Sequence, residues 1–244
     1  DFDLGYRVNL DGTRNVLEAC RALGTSPRVV FTSSLAAFGG DLPPAVTDDT
    51  PLTPQTSYGA QKSIGEFLVR DYTRKGFIDG RAARLMTVTV RPGKPNGAAS
   101  SFFSGIIREP LAGIEALCPV DAQVSHPMAS PSKTVEGLIA VFEASREAFC
   151  GRLALNLPAL NVRVCDMLDA LEQVAGSAVR ARVVFKRDER IAGMVANWPT
   201  GASSVRAGRI GLVPDANFVD IIRQYIDDCR HSSSAGDALK GLAQ

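Results

Sequence analysis

The chain has 244 residues, 45% of them hydrophobic and 22% charged, with 27 basic residues against 26 acidic ones. That composition belongs to a globular protein long enough to bury a substantial core. It lacks the basic stripe of a nucleic-acid binder, the like-charge block of a membrane-surface tail, and any apolar run near the ~20 residues a membrane span needs.

In chain order, residues 10–23 place Leu10, Val16, Leu17, Cys20 and Leu23 at helical spacing, and Gly24 is positioned to end that helix. Residues 28–32 read as a buried strand that finishes at Ser33-Ser34. A loop rich in Gly, Pro and Asp over 39–54 leads to a second helix that ends near Gly76. Residues 86–90 read as another strand, stopped by the Pro92-Gly93 turn. Helices are expected over 102–111 and 132–149, the second with Val135, Leu138, Ile139 and Phe142 facing inward. Residues 153–157 and 181–185 read as strands, and 164–175 as a helix opened by Asn161 or Asp166. A last amphipathic helix over 218–229 precedes a tail rich in Ser, Ala and Gly. This alternation predicts an α/β fold with a mainly parallel sheet.

Five cysteines, Cys20, Cys118, Cys150, Cys165 and Cys229, are scattered with no Cys-x-x-Cys pair, and the two histidines, His126 and His231, lie far apart. No metal site is expected from them, and reduced thiols in a cytoplasmic protein are. No signal peptide is read at the start of the chain. His126, between Ser125 and Pro127, reads as a loop histidine.

The chemistry-bearing pair is Tyr58 and Lys62. Residues four apart share a helix face, so a phenol and an ammonium can enter one cleft together. A free phenol, with a pKa of about 10, transfers protons poorly at neutral pH, and a fixed cation nearby favours its ionised form. The spacing alone also fits a surface tyrosine beside a solvated lysine. Ser33 and Ser34, at a strand end where open α/β sheets place their ligands, are rival partners. Asn9 can be read as an ordinary helix N-cap, Pro92-Gly93 as a plain turn, and Arg108 as an ion-pair partner of Glu109 or Asp121.

Taken together, strand-Thr32-Ser33-Ser34, Tyr58-x-x-x-Lys62, Arg91-Pro92-Gly93 and Asn9-x-x-Gly12-Thr13 resemble the extended short-chain dehydrogenase/reductase superfamily, the NAD-dependent epimerase/dehydratases. The runs 57–62, 91–96, 99–102, 107–111 and 118–120 are similar to its D-erythronate dehydrogenase branch. The resemblance implies NAD as cofactor, a small sugar acid as substrate, and oxidation of D-erythronate at C2. It also implies a homodimer and no nucleic-acid or membrane partner. It makes Tyr58 the base, with Ser34 holding the substrate oxygen and Lys62 supporting Tyr58 and binding the nicotinamide ribose. Asn9, Ser33, Tyr58, Lys62, Pro92 and Gly93 would line the cofactor. Ser34, Lys94, Asn96, Ser101 and Arg108 would meet the substrate.

The fold implied is the C-terminal part of a doubly wound Rossmann-type sheet over residues 1–95, a substrate-binding region over 96–231 and a flexible tail over 232–244. The family's glycine-rich fingerprint and ribose-gripping acid do not occur in this chain. The expectation that follows is a fragment or truncated product that binds cofactor poorly alone, without the residue that chooses NAD over NADP. A nucleotide-sugar epimerase or dehydratase with the same serine, tyrosine and lysine is the alternative. It would draw on Arg180, Arg182, Arg187, Arg190, Arg206 and Arg209 to hold a diphosphate, though their pattern forms no clear clamp.

Overall fold

The chain opens as one helical run. Phe2–Gly5 is α-helical, Tyr6–Asp11 is a π-helical turn and Gly12–Leu23 returns to α-helix. Asn9 therefore sits inside a wide turn rather than at a helix N-cap. Gly24 ends the run at φ +67°, in the left-handed region where a Cβ is costly.

In this computed structural model, residues 1–94, 97–149, 154–231 and 235–242 are described. The strands among them are β1 (Arg28–Ser34), β2 (Asp79–Leu85), β3 (Thr87–Val88), β4 (Ala116–Cys118), β5 (Ser125–Ala129), β6 (Ala154–Asn156), β7 (Leu160–Arg163) and β8 (Val183–Phe185). The chain divides into two units. The first comprises Asp1–Met86, Ser132–Ala159 and Asn197–Val213, and the second Thr87–Pro131, Leu160–Ala196 and Pro214–Gln244.

The first unit is built on a parallel sheet of order β1-β2-β6. The Ser57–Arg74 helix packs on one face, where Val69 meets Leu17 and Ile78 with Val29 and Phe31 beside them. On the other face Val141, Ala83, Phe149, Leu155 and Leu157 make a second cluster. Successive residues of β1 thus serve opposite layers, Phe31 the first and Val30 the second, as the strand period requires.

Its second strand lies seven residues before the expected one. Residues 79–85, Asp-Gly-Arg-Ala-Ala-Arg-Leu, read poorly as a buried strand because of Arg81 and Arg84. Both arginines are buried, and each is paired: Arg84 with Glu66, and Arg81 with Asp79 and the Ala144 carbonyl. Of the expected 86–90 strand only Thr87–Val88 is extended in a sheet, and it pairs with β5 in the second unit.

The expected 132–149 helix is Pro131–Glu143 followed by a 3₁₀ turn at Arg146–Phe149. Of its expected inward residues Leu138 packs against the core and the other three do not. Val135, Ile139 and Phe142 are 54%, 52% and 49% exposed, while Thr134, Gly137 and Val141 are buried. The small side wins because the backbone there approaches Leu157; a Cβ on Gly137 would lie 2.9 Å from Leu157 Cδ2.

The second unit holds the sheet β3-β5-β7, with β5 and β7 antiparallel, and the parallel pair β4-β8. Phe103, Ile106 and Ile107 of the Ser101–Leu111 helix, Met167, Leu168 and Leu171 of Val164–Ala175, and Ile222 of Phe218–Arg230 are buried in it. Asp166 closes the cap of the Val164–Ala175 helix by accepting from Arg163 N, whereas Asn161 lies in β7. His126 lies in β5, not a loop, stacked on Phe103 and 2.7 Å from the Thr87 hydroxyl. Near the end, Ala235–Ala238 is helical, and Gly241 N donates to the Leu111 carbonyl. Cys118 and Cys229 are buried and Cys20 and Cys165 half-buried, all as free thiols; Cys150 lies outside the described residues. No helix among the described residues is long and apolar enough to cross a membrane.

The two faces of the Pro131–Glu143 helix and its neighbour β6 give a direct check by chemical denaturation. Leu155→Ala is expected to cost about 2–5 kcal/mol as a core truncation. Val135→Ser, on the exposed face, should stay within about 0.5 kcal/mol of the wild type.

Candidate active site

Thr56 starts the Ser57–Arg74 helix, its hydroxyl accepting from Gly59 N at 3.0 Å, so Tyr58 stands in the first turn. Lys62 follows one turn later. Its Nζ donates to the Thr32 carbonyl at 2.9 Å and lies 5.0 Å from the Phe31 ring centre and 5.7 Å from that of Tyr58. Burial pushes the Lys62 ammonium below the ordinary lysine range, since a half-buried cation loses solvation. Tyr58 is 45% exposed, so its ring is open to a ligand.

Ser34 ends β1 in extended backbone, and its hydroxyl accepts from Ala36 N at 3.1 Å as the chain enters the Leu35–Ala37 3₁₀ turn. The Ser57–Arg74 helix presses on this same turn. A Cβ on Gly59 would lie 2.0 Å from the Ala36 carbonyl oxygen, and one on Gly65 2.4 Å from the Phe31 ring. Only glycine permits that approach, and it brings the Tyr58 turn against the end of the Ser34 strand.

Ser33 points elsewhere. It is 2% exposed and donates its hydroxyl to Glu66, so it faces the helix interior rather than an open cofactor cleft. Of the two rival serines, Ser34 is the one at the turn. Asn9 donates to the Gln61 side chain at 2.8 Å, which sets its amide beside the helix that carries Tyr58 and Lys62. The structure thus gathers Asn9, Ser34, Tyr58 and Lys62 around the end of β1 in one unit.

Pro92, Gly93, Lys94, Ser101 and Arg108 belong to the second unit. Pro92, Gly93 and Lys94 are exposed, and Gly93 has φ +98°, a conformation that favours glycine. Ser101 opens its helix and is buried. Arg108 is buried too: it is paired with Glu109, and its Nη1 donates to the Arg91 carbonyl at 2.9 Å. It braces the Arg91–Lys94 loop instead of presenting a free guanidinium. Asn96 lies outside the described residues.

Sequence reasoning missed Glu66 and Arg84. Glu66 stands four residues beyond Lys62, so its place on the helix was readable, but its partner sits in the strand that Arg84 disguised. A cavity of about 390 Å³ in the first unit is walled by Asp48, Glu66, Arg84 and Arg206 and not by Tyr58. Arg84 pairs there with Glu66, and Arg206 reaches Asp49 and the Ala154 carbonyl.

A parallel Rossmann-type sheet with a serine at a strand end and a Tyr-x-x-x-Lys helix against it defines a nucleotide-dependent short-chain dehydrogenase class. The chain belongs to the NAD dependent epimerase/dehydratase family, whose model matches residues 3–149. It is 52% identical over 228 residues to a D-erythronate dehydrogenase of Cupriavidus necator, covering 93% of this chain and 70% of that protein. A D-erythronate dehydrogenase of Haemophilus influenzae is 44% identical over 227 residues, covering 93% and 72%. Among solved structures, a nucleoside-diphosphate-sugar epimerase from Agrobacterium tumefaciens superposes with a TM-score of 0.90 at 43% identity, over 98% of this chain and 70% of that one.

Gly59→Ala tests the seating of the helix. Overpacking against a backbone carbonyl is expected to lower stability by about 1–3 kcal/mol, read from denaturant unfolding, because Ala36 O cannot rotate away.

Proposed function

We propose that this protein is an NAD-dependent dehydrogenase that oxidises a small sugar acid, D-erythronate, to 2-dehydro-D-erythronate. The observation that carries the reaction type is the Tyr58–Lys62 pair held against the end of the Ser34 strand. The two D-erythronate dehydrogenases, at 52% and 44% identity, support the substrate.

The donor set fits the nicotinamide ribose. The Lys62 ammonium has three N–H donors and, among the described residues, spends one, on Thr32. That leaves two for a diol. Lys62 would hold that ribose, with Asn9 on the neighbouring turn and the Pro92-Gly93 backbone lining the nicotinamide. When bound, NAD supplies the hydride acceptor.

The chain's own groups handle the proton. Tyr58 takes it from the substrate hydroxyl at its phenol oxygen, with the Lys62 ammonium one helical turn away. Ser34 Oγ hydrogen-bonds the same substrate oxygen and fixes its aim. Lys94 is the exposed cation suited to the sugar-acid carboxylate, with Ser101 and Asn96 as further polar contacts. Arg108 acts through the loop it braces. The same reading makes this a cytoplasmic enzyme that pairs with a second copy along the Ser57–Arg74 helix, where Ile64 and Phe67 are exposed.

A nucleotide-sugar epimerase is the second reading, favoured by the Agrobacterium tumefaciens structure. Assay of the full-length protein with NAD separates the two. Net NADH formation with D-erythronate and none with UDP-sugars is expected; interconversion of UDP-sugars without net NADH would replace the dehydrogenase reading. Tyr58→Phe should lower kcat by about 10²–10⁴-fold.

A pH profile adds an independent check. Lys62 serves the site as a cation only while charged, which is below its pKa. Because burial lowers that pKa, the support is lost at a lower pH than for a free lysine, near 10.4. The alkaline limb of kcat/KM should therefore fall below that value, and a limb at or above it counts against the role given to Lys62.

A further inference from the structure

Three consecutive residues at the end of β1 each hold a different partner. The Thr32 carbonyl accepts from Lys62, the Ser33 hydroxyl donates to Glu66, and Ser34 turns the chain toward Tyr58. Tyr58, Lys62 and Glu66 are spaced i, i+4, i+8 and so lie along one ridge of the Ser57–Arg74 helix. Whatever fixes Glu66 about the helix axis also fixes the aim of the other two.

Glu66 is gripped from the sheet. Ser33 and Arg84 are register partners across β1 and β2, and Arg84 and Asn156 across β2 and β6. The three form one polar row spanning all three strands, and all are buried. Arg84 clamps the Glu66 carboxylate with two hydrogen bonds, Nε to Oε1 at 2.9 Å and Nη2 to Oε2 at 2.8 Å. Its Nη1 lies 3.3 Å from the Asp48 carbonyl and 3.5 Å from Asn156 Oδ1. The Asp48 carboxylate in turn accepts from Asn156 N at 2.7 Å and Arg206 N at 2.9 Å. Apolar contacts can hold a helix at a distance from a sheet, but they resist its rotation poorly. A bidentate clamp supplies the missing direction.

We propose that Glu66, gripped by Ser33 and Arg84, is a positioning residue of the site, setting the rotation and seating of the Tyr58–Lys62 helix on the strand that carries Ser34. The proposal rests on the dehydrogenase reading of Tyr58 and Ser34. A buried ion pair that serves stability alone can be exchanged for apolar residues of similar volume without loss. A positioning pair cannot.

The test is the triple variant Ser33→Ala/Glu66→Leu/Arg84→Met, beside Ser33→Ala and Tyr58→Phe, all in the full-length protein. Three quantities are measured: the melting temperature, kcat and KM with D-erythronate, and the ¹³Cζ signal of Tyr58 in tyrosine-labelled protein without cofactor. The chain has four tyrosines, so the Tyr58→Phe spectrum assigns that signal.

The triple variant is expected to melt near the wild type, to lose about a hundredfold in kcat with KM within about twofold, and to show a moved Tyr58 signal. Ser33→Ala should lose about tenfold in kcat with the same split. Wild-type kcat together with an unmoved Tyr58 signal in the stable triple variant would overturn the proposal. If the triple variant does not fold, the same two readouts on Ser33→Ala decide it. Full activity in Tyr58→Phe would instead remove the reading of Tyr58 as base, while the Tyr58 signal still reports whether the helix had moved.

Discussion

Everything at this site depends on how closely one helix approaches one strand. The Ser57–Arg74 helix lies on β1 with glycines at two contact points, Gly59 against the Ala36 carbonyl and Gly65 against the Phe31 ring. That contact delivers the phenol of Tyr58 to the turn after Ser34 and lets the Lys62 ammonium reach the Thr32 carbonyl. A wider gap would leave the same residue types in place with no geometry between them. Tyr-x-x-x-Lys is therefore only half of a motif, and the small residues beside it are the other half.

The first unit also shows how a sheet can carry charge through its middle. Arg81 and Arg84 lie in the central strand, where an unpaired cation would be strongly unfavourable. Arg84 meets a carboxylate in bidentate geometry, and Arg81 is shared between Asp79, a backbone carbonyl and the face of Phe149. The two arginines lie on opposite faces of the sheet, Arg81 against Phe149 and Arg84 toward Glu66. Of the two, Arg84 is the one that faces the helix carrying Tyr58 and Lys62.

Much of this was legible in the sequence. The helices at 12–23, 57–74, 101–111, 164–175 and 218–230 announce themselves by periodicity and, at Gly24, by a glycine stop. Tyr58, Lys62 and Ser34 could be chosen because local spacing reports which side chains share a turn or a strand end. β2 could not be read, because its buried arginines resemble surface residues until distant partners, Glu66 for Arg84 and the Ala144 carbonyl for Arg81, are in place. Nor could the inward face of the Pro131–Glu143 helix, where two stripes compete and the packing of Leu157 on Gly137 decides. Ser33 shows the same limit, its hydroxyl committed to Glu66, which only the fold brings near; for Arg108 the pairing with Glu109 was readable in the sequence, and its bond to the Arg91 carbonyl was not.

The row Ser33–Arg84–Asn156 carries a consequence for how such a chain can change over generations. Ser33 and Arg84 both bond Glu66, and Arg84 and Asn156 both bond Asp48, so replacing one leaves a buried donor or acceptor without its mate, and the first step away is uphill whichever residue is altered. The effects of the three positions are then not additive. Drift at the surface, at Val135 or Phe142, can proceed one residue at a time. Such a row is kept or exchanged as a block, and under the positioning role proposed for Glu66 the seating of the Tyr58–Lys62 helix is kept or exchanged with it.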